Sequence, residues 1–188
     1  MKTIIIFTFL FVSIFSFSLK GQNSSRNHIE IETDPLAWAF GGGSLHGAYT
    51  LKNHRFQAGY AFLPVPDAFK ANKGLEESFQ ALSLKWDIFW GKESAEKGFF
   101  TGITADHLWF AYENEEATTS RNHVGLGIRG GYKWNIFAQQ PKVLSGWYLT
   151  PWVGLSYLTN AGDFELGNQT YTRPAFQVFP TVHLGYSF

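Results

Sequence analysis

Apolar and polar residues alternate with a period of two through most of this chain. The closing stretch, residues 175–188, shows the pattern without a break, with an aromatic or aliphatic residue or proline at every even position from Phe176 to Phe188. A period of two is typical of a β-strand with one apolar face. Read in the same way, the chain divides into eight predicted strands, at residues 28–40, 44–51, 54–62, 78–90, 99–112, 123–137, 147–158 and 175–188.

Three places in these strands depart from regular alternation. The pattern changes phase near residues 105–107, which predicts a β-bulge in the fifth strand. Pro151 and Pro180 fall inside the seventh and eighth strands. A proline removes one hydrogen-bond donor from the ladder, so we expect bulges there as well.

Composition indicates which face of the strands points outward. The chain is 18% aromatic and only 16% charged, whereas a soluble domain carries about a quarter charged residues. We infer that much of the surface does not face water. A soluble, lipocalin-like barrel would need the opposite arrangement, with an apolar interior, but the polar face of these strands carries nearly all of their charges and makes a poor soluble core.

An apolar outer face suits a barrel in lipid. A sheet in lipid cannot leave an edge unpaired, because each unpaired backbone group costs several kcal/mol, so the strands must close on themselves. We therefore predict an all-β, eight-stranded antiparallel transmembrane β-barrel with a polar packed interior. Aromatic residues are expected at both rims, with one set at Trp38, Tyr60, Phe62, Trp109, Phe110, Tyr112 and Tyr157 and the other at Trp90, Trp134, Trp147, Tyr186 and Phe188.

The start of the chain has the pattern of a secretory signal peptide. A lysine at position 2 precedes an apolar run over residues 4–19. We expect cleavage after Gly21, with Ser18 as a second candidate, which gives a signal peptide at 1–21 and a barrel domain at 22–188. A retained membrane anchor is the alternative.

The charge balance and the lack of cysteine exclude several classes. The chain has no Cys, which rules out a lipid-anchored cysteine, disulfides and thiolate metal sites. Fifteen Lys and Arg balance fifteen Asp and Glu, so no excess of positive charge indicates a nucleic-acid partner.

The end of the closing strand resembles a known family. Gly185, Tyr186 and the terminal Phe188 are similar to the closing strand of small eight-stranded bacterial outer-membrane β-barrels. The resemblance implies residence in the cell outer membrane and contact with outer-membrane lipid. It also implies that the barrel-insertion machinery reads these three residues during biogenesis.

A barrel of eight strands is only just wide enough for side chains to fill it. We predict an interior polar network of Lys85, Asp87, Asp106, Arg129, Lys133 and His183. Arg129 is flanked on its own face by Gly127 and Gly131, so its side chain has room to cross the lumen and meet Asp87 or Asp106. The expected function is structural or surface recognition without an open pore, and a narrow small-solute channel is an alternative.

Another alternative is an enzyme that modifies membrane lipid. Palmitoyl transferase and lipid A deacylase barrels use Ser, His and an acidic residue near the outer rim, and the candidates here are Ser44, His46, Asp106 and His123. The local motifs of those families are not present. The six His residues lack the close spacing of strand ligands, so we expect no metal and no cofactor. An extracellular ligand could bind the predicted loops 63–77, 113–122 and 159–173.

Overall fold

The computed structural model describes residues 27–67, 70, 72, 74–90, 97–136 and 146–188. The predicted signal peptide therefore lies outside the described residues. The described elements are β1 (Asn27–Thr33), α1 (Pro35–Ala39), β2 (Gly43–Leu51), β3 (His54–Pro64), β4 (Glu76–Phe89), β5 (Gly98–Glu113), β6 (Thr118–Asn135), β7 (Gly146–Leu158), β8 (Gly162–Leu166), β9 (Gln169–Arg173) and β10 (Phe176–Ser187). No helix in the described part of the chain is long and apolar enough to cross a membrane.

Eight of these strands form one closed sheet. Its order is β1, β10, β7, β6, β5, β4, β3 and β2, with β1 closing on β2, and every neighbouring pair is antiparallel. Strands β8 and β9 form a separate hairpin between β7 and β10. The backbone N–H of Phe188 donates to the carbonyl of Ile29 at 2.9 Å, next to the β1–β10 pairing. The predicted eight-stranded antiparallel barrel is confirmed.

The two faces of the wall have opposite character. Outward side chains are apolar and exposed, as at Leu84 (61%) and Ile128 (63%), whereas the inward Arg55 and Asp87 are fully buried at 0%. This distribution excludes the inverse pattern of a soluble barrel. Most of the predicted rim aromatics do point outward, but Phe110 and Tyr112 point into the barrel at 1% and 0% exposure, so that part of the prediction was wrong.

The first predicted strand is too long, since β1 ends at Thr33. Asp34 caps the helix α1, its carboxylate accepting the backbone N–H groups of Leu36 and Ala37 at 2.8 and 3.2 Å, and Pro35 takes the first helical position. An acidic cap followed by proline is a strong helix start. The apolar residues at 36, 38 and 40 suggested continued alternation, but they lie in this helix and at its end.

None of the three predicted bulges is present. The pairing of β5 with β4 and β6 runs in unbroken register past residues 105–107, and β7 and β10 stay in register past both prolines. The N–H of Leu158 donates to the carbonyl of Ala175. Because hydrogen-bonded pairs alternate along an antiparallel ladder, the odd-numbered residues of β10 bond to β7. The even-numbered residues, including Pro180, point their backbone nitrogens away from β7. The partner β1 has already ended on that side. Pro151 turns its nitrogen toward β6, where the pairing skips Tyr132 and Lys133.

One predicted loop is much shorter than expected. Strands β5 and β6 extend to Glu113 and from Thr118, which leaves a turn at 114–117 in place of a loop at 113–122. Part of the predicted loop 159–173 forms the β8–β9 hairpin. We call the end of the barrel with these connections the loop end, and the end with the Lys52–Asn53 turn the turn end.

Candidate functional site

A network of buried ion pairs fills the barrel on the turn-end side, and we call it the basal network. Its members are Glu30, Glu32, Arg55, Asp87, Arg129 and Lys133, with His28, Gln57, Tyr148 and His183 bound to them. Three carboxylates thus face three permanent cations. Their charges balance, which is the condition under which buried ions are tolerated.

Arg55 is the centre of the basal network. Its Nη1 lies 2.9 Å from Glu32 Oε1, and its Nε lies 2.9 Å from Asp87 Oδ2. Its guanidinium also lies 5.3 and 5.2 Å from the ring centres of Phe89 and Phe100. Charged groups and aromatic rings therefore pack together in the lumen at this level.

Arg129 meets Asp87, one of the two carboxylates named for it from the sequence. Its Nε lies 2.8 Å from Asp87 Oδ1 and its Nη2 lies 2.5 Å from Asp87 Oδ2. Lys133 contacts Glu30, and His183 Nδ1 lies 2.8 Å from Glu32 Oε2. Four of the six residues named for an interior network thus lie together.

Inward glycines provide the space for these side chains. A Cβ at Gly102 would lie 2.3 Å from Asp87 Oδ1, and one at Gly59 would lie 1.7 Å from His46 Nδ1. Gly185 leaves space for the Tyr148 ring in the same way. Gly185 therefore has a packing role in addition to its place in the predicted insertion signal, whose Tyr186 and Phe188 rings pack edge to face at 5.0 Å.

A hydrophobic cluster lies at the loop end, and we call it the loop cap. It consists of Leu75, Ala81, Leu108, Phe110, Tyr112, Leu158, Phe164, Leu166 and Tyr171. The β8–β9 hairpin supplies its upper part, and hydrogen bonds from Asn72 to Thr172 (3.0 Å) and from Asn114 to the Leu166 carbonyl (3.1 Å) tie it to the other connections. Below the cap, Arg173 pairs with Glu77 at 3.0 Å.

The acidic turn at 113–116 is hydrogen-bonded to the β8–β9 hairpin. Asn168 N–H donates to Glu116 Oε2 at 2.9 Å. Nearby, Lys70 lies 2.7 Å from Asp67 and 2.9 Å from Glu76, and the hydrogen bond with Asp67 raises the pKa of Lys70. Hydrogen bonds thus join Asn72 and the 114–117 turn to the β8–β9 hairpin, and these parts form a hydrogen-bonded surface at the loop end.

Between the basal network and the loop cap, the wall lacks part of a strand. The pairing of β10 with β1 covers only residues 184–187, and β2 pairs with β1 only up to His46. Helix α1 stands in the place of the missing strand, and Thr181 Oγ1 donates to Asp34 Oδ2 at 2.5 Å. We call this place the lateral gap.

A cavity of about 1160 Å³ adjoins the lateral gap. We call the lumen between the basal network and the loop cap the upper lumen. The inward side chains of the upper lumen that line the cavity are Phe79, Trp152, Gln177, Phe179 and Thr181. The outward side chains of β10 that line it are Phe176, Val178 and Val182. Residues 176–183 of β10 pair with no residue of β1, so the wall between these two groups of side chains is incomplete here.

The other two residues named for the interior network, Lys85 and Asp106, lie apart from the basal network. Asp106 accepts a hydrogen bond from Thr104 at 2.9 Å, and the ammonium of Lys85 lies 5.2 Å from the ring centre of Trp152. No ion pair within 4.0 Å joins Lys85 to another described residue. The upper lumen therefore contains a cation without a close counter-charge.

The structure does not link the four candidate catalytic residues. Ser44 Oγ accepts the backbone N–H of Asp34 at 2.7 Å, and His123 Nδ1 lies 2.8 Å from the Thr159 carbonyl oxygen. His46 stacks on His183 at 4.7 Å between ring centres. No hydrogen bond joins Ser44, His46, Asp106 and His123 to one another, so they form no chain of nucleophile, base and carboxylate. In the described part of the chain, no three His, Asp or Glu side chains are grouped to hold a metal ion.

Comparisons with known proteins bear on the fold. No family model matches this chain. No curated protein matches it either. Among solved structures, the crystal structure of Neisserial surface protein A (NspA) matches over 89% of this chain and 100% of that chain, with a TM-score of 0.56 and 11% identity. At this identity the likeness shows a shared fold and nothing about function.

Sequence reasoning missed several members of the basal network. Glu30 and Glu32, both 0% exposed, were not placed inside, and neither was Tyr148. A signal was present, since Ile29 and Ile31 alternate with these two glutamates along β1.

Proposed function

We propose that this chain is an integral outer-membrane β-barrel that presents its loop end at the cell surface and does not conduct ions. The basal network carries this proposal. Six fully or almost fully buried charged groups, each in contact with a partner of opposite sign, occupy the lumen beside the turn end. Opening a path there would separate these pairs, and leaving buried charges unpaired is costly.

The outer surface supports residence in a membrane. Exposed large apolar side chains surround the wall, among them Leu45, Phe56, Leu84, Ile103, Leu126, Ile128, Val153 and Val178. An apolar surface of this extent in water would be an aggregation hazard, whereas in lipid it is at no disadvantage. The likeness to the NspA fold is consistent with this location.

The orientation follows from the connections. The turn end has the two-residue turn at Lys52–Asn53, and the loop end carries α1 and the β8–β9 hairpin. In bacterial outer-membrane barrels the short turns are periplasmic and the longer loops are extracellular. The hydrogen-bonded surface at the loop end is then the part available for recognition.

Recordings in planar bilayers test the closed lumen. We expect the purified, folded protein to give no stable channels under conditions in which a general porin does. Stable channels of porin size would refute the proposal.

Labelling of whole cells tests the orientation, because a chain without cysteine allows clean single-cysteine variants. A membrane-impermeant maleimide should react with Asn168→Cys, at the tip of the β8–β9 hairpin, and should not react with Asn53→Cys until the outer membrane is permeabilised. The reverse result would place the loop end in the periplasm.

A further inference from the structure

Three hydrogen-bond donors around the Trp152 ring have no acceptor among the described residues. Two of them, the Trp152 indole Nε1 and the Arg129 Nη1, are fully buried. The ammonium of Lys85 and the guanidinium of Arg129 lie 5.2 and 5.0 Å from the ring centre. Lys85 and Arg129 are 8% and 3% exposed. Buried donors are rarely left without an acceptor, so this arrangement points to a bound group that accepts hydrogen bonds.

The charges around these donors favour a ligand with one negative charge. The basal network is balanced, and the charge of Arg129 is met there by Asp87. Lys85 remains without a carboxylate within 4.0 Å among the described residues, and its nearest aromatic contact is the face of Trp152. A single carboxylate would neutralise Lys85 and accept hydrogen bonds from Arg129 and Trp152 together.

Of the three donor residues, Trp152 lines the cavity at the lateral gap, together with Leu63, Phe79 and Phe179, and the lining is mostly apolar. Outward side chains such as Phe176 and Val178 line the cavity too, so its volume of about 1160 Å³ includes space outside the wall. The loop cap and the basal network fill the lumen toward the two ends of the barrel, and the lateral gap interrupts the wall between them, so we expect a long ligand to leave there.

We propose that the upper lumen binds a single-chain fatty acid. Its carboxylate contacts Lys85, Arg129 and Trp152, and its alkyl chain passes between α1 and β10 toward the membrane. The open side of β10 faces the apolar surroundings of the barrel through Phe176 and Val178, which are 66% and 64% exposed. This site goes beyond the proposed surface function and does not depend on it, since a closed pore and a filled upper lumen are separate properties.

Calorimetric titration of dodecanoate into the folded protein in non-ionic detergent micelles tests the site, with protein-free micelles as the blank. We expect saturable binding to the unmodified chain. Lys85→Met should weaken it by about ten-fold or more, because it removes a charge-assisted hydrogen bond. Lys52→Met, which removes a lysine from the exposed turn, should bind like the unmodified chain. Each variant is first checked for folding by its heat-modifiable migration on a gel.

Two further titrations separate the carboxylate from the alkyl chain. Dodecanol should bind more weakly than dodecanoate to the unmodified chain and equally to the unmodified chain and Lys85→Met. Ala37→Phe, which puts a ring into the lateral gap, should weaken both ligands. Dodecyl phosphate should bind no better than dodecanoate.

The absence of saturable dodecanoate binding, or equal affinities for the unmodified chain and Lys85→Met, would overturn the proposal. Normal binding to Ala37→Phe would overturn the exit route, and tighter binding of dodecyl phosphate would overturn the carboxylate assignment. These outcomes are distinct from those for the closed pore. If the protein neither binds dodecanoate nor conducts ions, the proposed surface function still stands. If it binds dodecanoate and conducts ions, only the proposed surface function is refuted.

Discussion

The two halves of the lumen belong to the same barrel, but they differ in whether their buried charged groups have partners of opposite sign. In the turn-end half, Arg55 reaches both Glu32 and Asp87 within 2.9 Å, and all three side chains are fully buried. In the loop-end half, Lys85 has no carboxylate within 4.0 Å among the described residues, and inward side chains such as Trp152 and Phe179 are partly exposed. One half pairs its buried charges with one another, and the other adjoins a cavity and contains a lysine without an ion pair among the described residues.

The length of β1 explains this difference. The seven residues of β1 supply Glu30 and Glu32, two of the three carboxylates of the basal network. Beyond Thr33 the strand gives way to α1, so β1 supplies no strand residue beside Phe176 to His183 of β10. A single early strand end thus removes both a source of carboxylates and a section of the wall.

The largest expected effect comes from breaking the centre of the basal network. Arg55→Met should lower the free energy of unfolding by about 3 to 5 kcal/mol, because it leaves Glu32 and Asp87 buried without their shared cation. Lys85→Met should change it by less than about 1 kcal/mol, since no ion pair is lost. Urea unfolding in lipid vesicles, followed by tryptophan fluorescence, measures both. Equal losses would mean that the two halves do not differ in their electrostatics.

A second test uses the packing of the basal network. Gly102→Ala should lower the free energy of unfolding by about 1 to 3 kcal/mol, because its Cβ would lie 2.3 Å from Asp87 Oδ1 and 2.5 Å from the Trp86 carbonyl. Gly47→Ala is the matched control, since an added Cβ at this outward position meets nothing within 4 Å. The same urea titrations compare the two, and a cost at Gly47 as large as that at Gly102 would contradict the packing described.

The smallest expected effect concerns the lateral gap. Pro180 turns its nitrogen toward the gap and not toward β7, so Pro180→Ala restores a donor that the wall does not need and should change stability by less than about 0.5 kcal/mol. Phe179→Pro, one residue earlier, removes a bond to β7 and should cost about 3 kcal/mol. If Pro180→Ala stabilises the barrel strongly, β10 is paired on both sides at this point and the wall has no gap.

The sequence was a good guide to the barrel and a partial guide to its interior. Alternation predicted eight antiparallel strands and the inward placement of Asp87, Arg129, Lys133 and His183, because the strand period alone decides which face a residue takes. The bond between Arg129 and Asp87 was also foreseen from the room beside Arg129. These inferences depend on local pattern.

One failure was local, because Asp34 and Pro35 end β1 and begin α1, but the apolar residues that follow imitate a continued strand. The other failures depended on contacts between distant parts of the chain. Bulges were expected at prolines because every strand was assumed to have two neighbours, and Pro180 has one. Lys85 and Asp106 share a face with the network, but only the three-dimensional register shows that they lie above it.

The difference in access between the two halves is the central claim, and the chain's lack of cysteine allows a direct measurement of it. Thr50 lies inside the basal half at 0% exposure, and Gln177 lines the cavity at the lateral gap. With single-cysteine variants of the folded protein, a small water-soluble thiosulfonate reagent should modify Gln177→Cys readily and Thr50→Cys at least ten times more slowly, with both reacting fully after denaturation. Equal rates in the folded protein would show that the halves are equally open and would contradict the account.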